Sequence, residues 1–95
     1  MKFGYNAVMP LISRFLGISI YMYFSDHYPA HFHVKYGEYQ AEFDIGTVGI
    51  IAGYLPRRVH ALVVEWAVLH RDELQENWDR ARQGLQLVRI EPLDL

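Results

Sequence analysis

The chain has 95 residues, 52% hydrophobic and 21% charged, with a net charge of −2 and no cysteine. That balance is globular rather than disordered, one domain is the default at this length, and disulfides, thiolate catalysis and cysteine-based zinc sites are excluded. No apolar run is long enough to span a bilayer, the first residues lack a secretory pattern, and a pI of about 6.2 argues against bulk electrostatic capture of nucleic acid.

In chain order, Leu11 to Phe15 reads as a strand and Leu16-Gly17 as a tight turn. Ile18, Ile20, Met22 and Phe24 then alternate with Ser19, Tyr21 and Tyr23, the period of a half-buried strand. Asp26 to Ala30 reads as a loop, because Pro29 lacks the donor that a central strand needs.

The clearest element is a hairpin. His31 to Tyr36 is a strand, Gly37-Glu38 a two-residue turn of type II′, and Tyr39 to Ile45 the return strand. This register pairs Tyr36 with Tyr39, Val34 with Ala41, Phe32 with Phe43, His33 with Glu42 and His31 with Asp44. Opposed residues share a face, so Phe32, Val34, Ala41 and Phe43 are expected in the core. His31, His33, Lys35, Gln40, Glu42 and Asp44 are expected together on the other face. A slip of one residue would bury this polar set, so the hydrophobic pattern supports the register independently of the turn.

Gly46 to Gly49 reads as a second turn and Ile50 to Ala52 as a short last strand. Pro56 suits the first position of a helix, where a missing donor costs nothing. Val59, Leu62, Val63, Trp66, His70, Leu74, Trp78 and Ala81 form one apolar stripe at helical spacing. Asp72 and Glu73 suit a first turn, which predicts a break near His70-Arg71, and Gly84 suits a C-cap. Leu87 to Ile90 fits a last strand or a docked tail. The expected fold is α+β: an antiparallel β-meander of four to five strands, with a C-terminal helix or helix pair packed on one face and the other face open. Trp66, Trp78 and a hydrogen-bonded His70 are expected in the core.

The open face concentrates chemistry. His27, His31 and His33 fall within seven residues, and His31 and His33 project to the same side of a strand. Glu42 and Asp44 lie across the hairpin and Asp26 beside His27. Two chemistries fit. His27, His31 and His33 can ligate a divalent transition metal such as Zn, Ni or Fe, with Asp44 or Asp26 as a further ligand or as an acceptor behind one. Alternatively, His31, His33, Glu42 and Asp44 can act as acid–base groups without metal, each carboxylate orienting an imidazole. Simple cross-strand pairing on a wet sheet is the structural alternative, and Tyr21 and Tyr23 suit a binding face for bases or a protein. All six basic residues after position 55 are arginine, which keeps a local anion site open.

Met9-Pro10-Leu11-Ile12-Ser13-Arg14-Phe15, Gly17-Ile18 and the segment from Asp26 to Gly37 resemble the bacterial family called domain of unknown function 4160. So do Leu55-Pro56-Arg57-Arg58 and the helix carrying Glu65-Trp66-Ala67, Leu69 to Leu74 and Asn77-Trp78. The resemblance covers about residues 9–92, read as a single α+β domain, with 1–8 as an N-terminal extension and 93–95 as a C-terminal tail. It implies most readily the toxin-like member of a two-gene toxin–antitoxin module, with a protein partner encoded by a neighbouring gene. Composition points to a cytoplasmic protein, and His beside Tyr21 or Tyr23, with an Arg for phosphate, resembles the equipment of a metal-independent RNase, so RNA is the expected substrate of a His-centred site. A metal-binding protein or metalloenzyme and a non-catalytic, antitoxin-like binding module are the alternatives, and a chain this short leaves room for a homodimer. Gly46-Thr47-Val48-Gly49 and Ala52 depart from the acids usual in relatives, and Ala30 replaces a frequent proline.

Overall fold

The computed structural model describes residues 10–24 and 26–94, so the expected extension at 1–8 lies outside the described residues. Five strands run β1 (Leu11–Phe15), β2 (Ile18–Tyr21), β3 (His31–Tyr36), β4 (Tyr39–Asp44) and β5 (Ile50–Gly53), followed by α1 (Arg57–Leu69) and α2 (Arg71–Arg82). They form one antiparallel sheet in sequence order, β1-β2-β3-β4-β5. This is the expected α+β meander with a helix pair.

The β3–β4 register is the one read from the alternation, with Phe32 opposite Phe43, Val34 opposite Ala41, His33 opposite Glu42 and His31 opposite Asp44. Gly37 has φ +58 while Glu38 stays out of the left-handed region, as a type II′ turn demands. Phe32, Val34, Ala41 and Phe43 are buried. The Phe32 and Phe43 rings stack at 5.4 Å, and Trp66 of α1 meets Phe32 edge-on at 6.0 Å and Phe15 at 5.6 Å. Each such side chain contributes roughly 1.5–3 kcal/mol through burial.

Several local expectations shift. β2 ends at Tyr21, short of Phe24, because the chain leaves the β3 ladder there; Met22 is still buried. Pro56 is the residue before α1 rather than its first residue, and its carbonyl accepts from the His60 N–H. The helix break falls at His70, whose ring Nδ1 bonds the Glu73 carboxylate at the start of α2. Gly84, at φ +73, closes α2 in a Schellman arrangement: Leu85 N–H bonds Arg80 O, and Gly84 N–H bonds Ala81 O.

Leu87 to Ile90 is a docked tail. Asn77 exchanges two hydrogen bonds with the Val88 backbone, Ile90 N–H bonds Ile12 O of β1, and the Trp66 indole donates to Glu91 O. Leu93, beyond the expected domain limit at 92, is buried in the same core. The tail thereby holds α1, α2 and the β1 edge together, which fixes where α2 lies relative to β3.

Candidate metal centre

The site begins with Asp26. The His27 backbone N–H donates to Asp26 Oδ1 at 2.8 Å, which leaves Oδ2 directed at two imidazoles. His33 Nε2 hydrogen-bonds Asp26 Oδ2 at 3.1 Å, and His31 Nε2 lies 3.1 Å from the same oxygen. Glu42 Oε1 is 3.7 Å from His31 Nε2. The ligand-capable atoms of His31, His33 and Glu42 lie within 4.8 Å of one another, as do those of Asp26, His27 and His31.

The state of His31 is decided by its other nitrogen. Nδ1 sits 2.6 Å from Pro29 O, and a carbonyl only accepts, so Nδ1 carries the proton. Nε2 is then left to face Asp26 and Glu42. It is fully buried, and its approach to Asp26 lacks hydrogen-bond geometry, so it has no hydrogen-bond partner among the described residues. A bare lone pair aimed at two carboxylates is unfavourable unless a proton or a cation lies between them. An imidazole with one N–H held by a backbone carbonyl and the other nitrogen presented to a cluster of N and O donors is the usual setting of a metal ligand. The 3.1 Å separations of His31 and His33 from Asp26 come near the roughly 3.3 Å between ligand atoms around a tetrahedral zinc ion, and the two triads, Asp26–His27–His31 and His31–His33–Glu42, share His31.

Burial of the Asp26 carboxyl works against its charge. Hydrogen bonds from His33 and the His27 N–H outweigh that, helped by the positive charge of His31 and His33 in acid, and hold the carboxyl below its ordinary 3.8.

The open face therefore needs a correction at one end. His31 projects to the expected side, but its side chain is 0% exposed. Trp78 of α2 lies 5.2 Å from its ring, and Tyr28 packs on Trp78 at 5.8 Å. Arg82 stacks over Tyr28 at 4.5 Å and donates to Asp26 O at 2.8 Å, tying residues 26–28 to α2. His33 and Glu42, at 18% and 33% side-chain exposure, keep one side of the cluster accessible. Beyond them a groove lined by Tyr21, Tyr23, His33, Lys35, Gln40 and Glu42 runs over the outer face of the sheet.

His31, His33 and Glu42 are brought together, but Asp44 is not. Its backbone pairs with His31, yet its carboxylate turns back to accept the Thr47 N–H at 2.9 Å and so caps the β4–β5 turn. His27 stands at the rim, 77% exposed, with Nε2 3.7 Å from Asp26 Oδ1. Asp26, weighed in the sequence only as an alternative to Asp44, is the hub. Trp78, Tyr28 and Arg82 were not legible as parts of the site; Arg82 lies 56 residues from the group it holds. Of the expected acid–base pairs, His33 engages Asp26 rather than the Glu42 opposite it.

Among the described residues no helix is long and apolar enough to cross a membrane. No curated protein and no solved structure matches the chain. A family model does: the one described as Domain of unknown function (DUF4160) matches residues 17–79. That span holds all five residues of the cluster, strands β2 to β5 and most of the helix pair, so the chain belongs to this family of unknown function.

Proposed function

We propose that this protein binds a divalent transition metal through Asp26, His31, His33 and Glu42, with His27 at the rim, and that the centre is catalytic rather than purely structural. The observation that carries the reading is the buried His31 Nε2, unpartnered and aimed at two carboxylates while Nδ1 is committed to Pro29. Mixed imidazole and carboxylate donors suit Zn, Ni or Fe. A structural site is closed by protein on all sides, whereas this cluster opens through His33 and Glu42 onto the groove. A metal bound there would supply a Lewis acid and a water of lowered pKa. The chain's own part is to fix the His31 tautomer through Pro29, to hold Asp26 charged, and to exclude water on the side covered by Trp78.

Protein made without a histidine tag and analysed by elemental mass spectrometry tests this. One metal per chain is expected, with loss of that stoichiometry in His31→Ala/His33→Ala. Wild type that holds no more metal than this double variant overturns the reading.

A second reading is acid–base catalysis without metal. It is favoured by the 3.1 Å hydrogen bond that lets Asp26 orient His33. Activity that survives chelation but not Asp26→Asn selects it. The toxin-like role implied by the family resemblance, and the RNA substrate read from the His-centred residues, enter here as the biological setting of either chemistry. Growth arrest on induction, relieved by the neighbouring gene's product and abolished by His33→Ala, is the expected result.

A further inference from the structure

We propose that the groove beside the metal centre binds a phosphate monoester carried on a flat ring, with the phosphoryl group between the metal and Lys35 and the ring against Tyr21. This deepens the metal reading and rests on it. The alternation that places His33 on the outer face places Lys35 on the same face one pleat away, about 6.6 Å along the strand. A lysine side chain spans that distance. Lys35 is half-buried in the groove, its ammonium lies 5.7 Å over the Tyr21 ring, and no carboxylate lies within ion-pair distance of it among the described residues. It is a cation held by an aromatic face rather than neutralised by an acid, and so is free to take an anion.

The neighbouring row extends the charge. Lys35 pairs with Ser19 and Ser19 with Arg14, which puts a second cation on the same outer row. The charge balance then depends on the metal. Asp26 and Glu42 alone make this end of the groove acidic and repel anions. A divalent ion cancels both, and Lys35, which lines the groove, leaves it net positive, with Arg14 two strands away on the same row. A phosphoryl oxygen meets both demands of the site, because it is a hard ligand for the open metal position and an acceptor for an ammonium. Tyr21 and Tyr23 supply the aromatic wall beside it, Tyr23 being held edge-on to His33 at 4.4 Å. The groove is small, about 120 Å³, the scale of a small ligand.

The test is a calorimetric titration of the full-length protein, first with Zn²⁺ and then with phenyl phosphate. Phenyl phosphate is expected to bind the zinc-loaded protein and to bind the zinc-free protein at least about tenfold more weakly. Lys35→Gln is expected to keep its zinc affinity and to lose about tenfold for phenyl phosphate, the size of one charge-assisted contact. Tyr21→Ala is expected to lose affinity for phenyl phosphate but not for inorganic phosphate. Normal zinc binding with equal phenyl phosphate affinity in wild type and Lys35→Gln overturns this proposal and leaves the metal reading standing. Failure to bind zinc at all overturns both.

Discussion

The two faces of the β3–β4 hairpin are built from the same alternation but on different physical terms. On one face Phe32, Val34, Ala41 and Phe43 pack against α1, where contact is non-directional and many neighbours share the work. On the other, His31 and His33 depend on single directed contacts with Asp26 and Pro29, and Glu42 faces His31. The first face tolerates changes of like volume, and the second tolerates almost none. His33 and Glu42 are partly exposed, but burial does not separate His31 from Phe32, since both are inaccessible. What separates them is whether each buried atom has a partner.

The comparison can be broken from either side. Phe32→Ala should cost about 3–5 kcal/mol in chemical denaturation, by lost transfer and cavity formation, while the fraction that remains folded keeps its metal affinity. A parallel collapse of metal binding in that fraction would mean that the faces are not separable. His31→Gln should do the reverse. It should lower zinc affinity by on the order of 100-fold in a competition assay, the upper end of what even supporting groups cost, with a far smaller stability change in the metal-free protein.

Arg82→Ala sharpens the picture, because Arg82 touches neither face directly. Losing its bond to the Asp26 carbonyl should loosen the loop that presents Asp26 and weaken zinc binding about tenfold. Asp44→Ala, by contrast, should cost about 1 kcal/mol through the lost turn hydrogen bond and leave zinc affinity unchanged. Loss of metal in that variant would return Asp44 to the centre.

The smallest effect concerns acid. The folded Asp26 carboxyl titrates below its ordinary 3.8. Its contribution to stability is therefore complete above that value and is lost as the pH falls through the folded value. In metal-free protein, denaturation midpoints should drop from about pH 5 to about pH 2 more steeply for wild type than for Asp26→Asn. Parallel curves would show that the hydrogen bonds to Asp26 do not persist in solution.

Much of the fold was legible because its signals are local. Alternation and Gly37-Glu38 set the hairpin register, and Asp72-Glu73 marked the second helix start. Both depend on residues close in sequence. The centre was legible only in part. Strand pairing dictates which backbones face each other, so His33 opposite Glu42 and His31 opposite Asp44 could be read directly. It does not dictate side-chain torsions, and Asp44 spends its carboxylate on Thr47. The seal over His31 comes from Trp78, whose position depends on the helix break at His70 and on the tail docked through Asn77 and Trp66. No local pattern around His31 carries that information. Pro29 was read only as a strand breaker, although its carbonyl sets the His31 tautomer.

The packing of Trp78 on His31, with ring centres 5.2 Å apart, has an optical consequence. An indole this close to an imidazole proposed to hold the metal makes the protein its own fluorometer. Copper(II) or nickel(II) entering the centre should quench Trp78 emission, and diamagnetic zinc should shift it with little loss. Trp66 of α1, whose indole donates to Glu91 O of the docked tail, is the internal reference whose signal should stay constant.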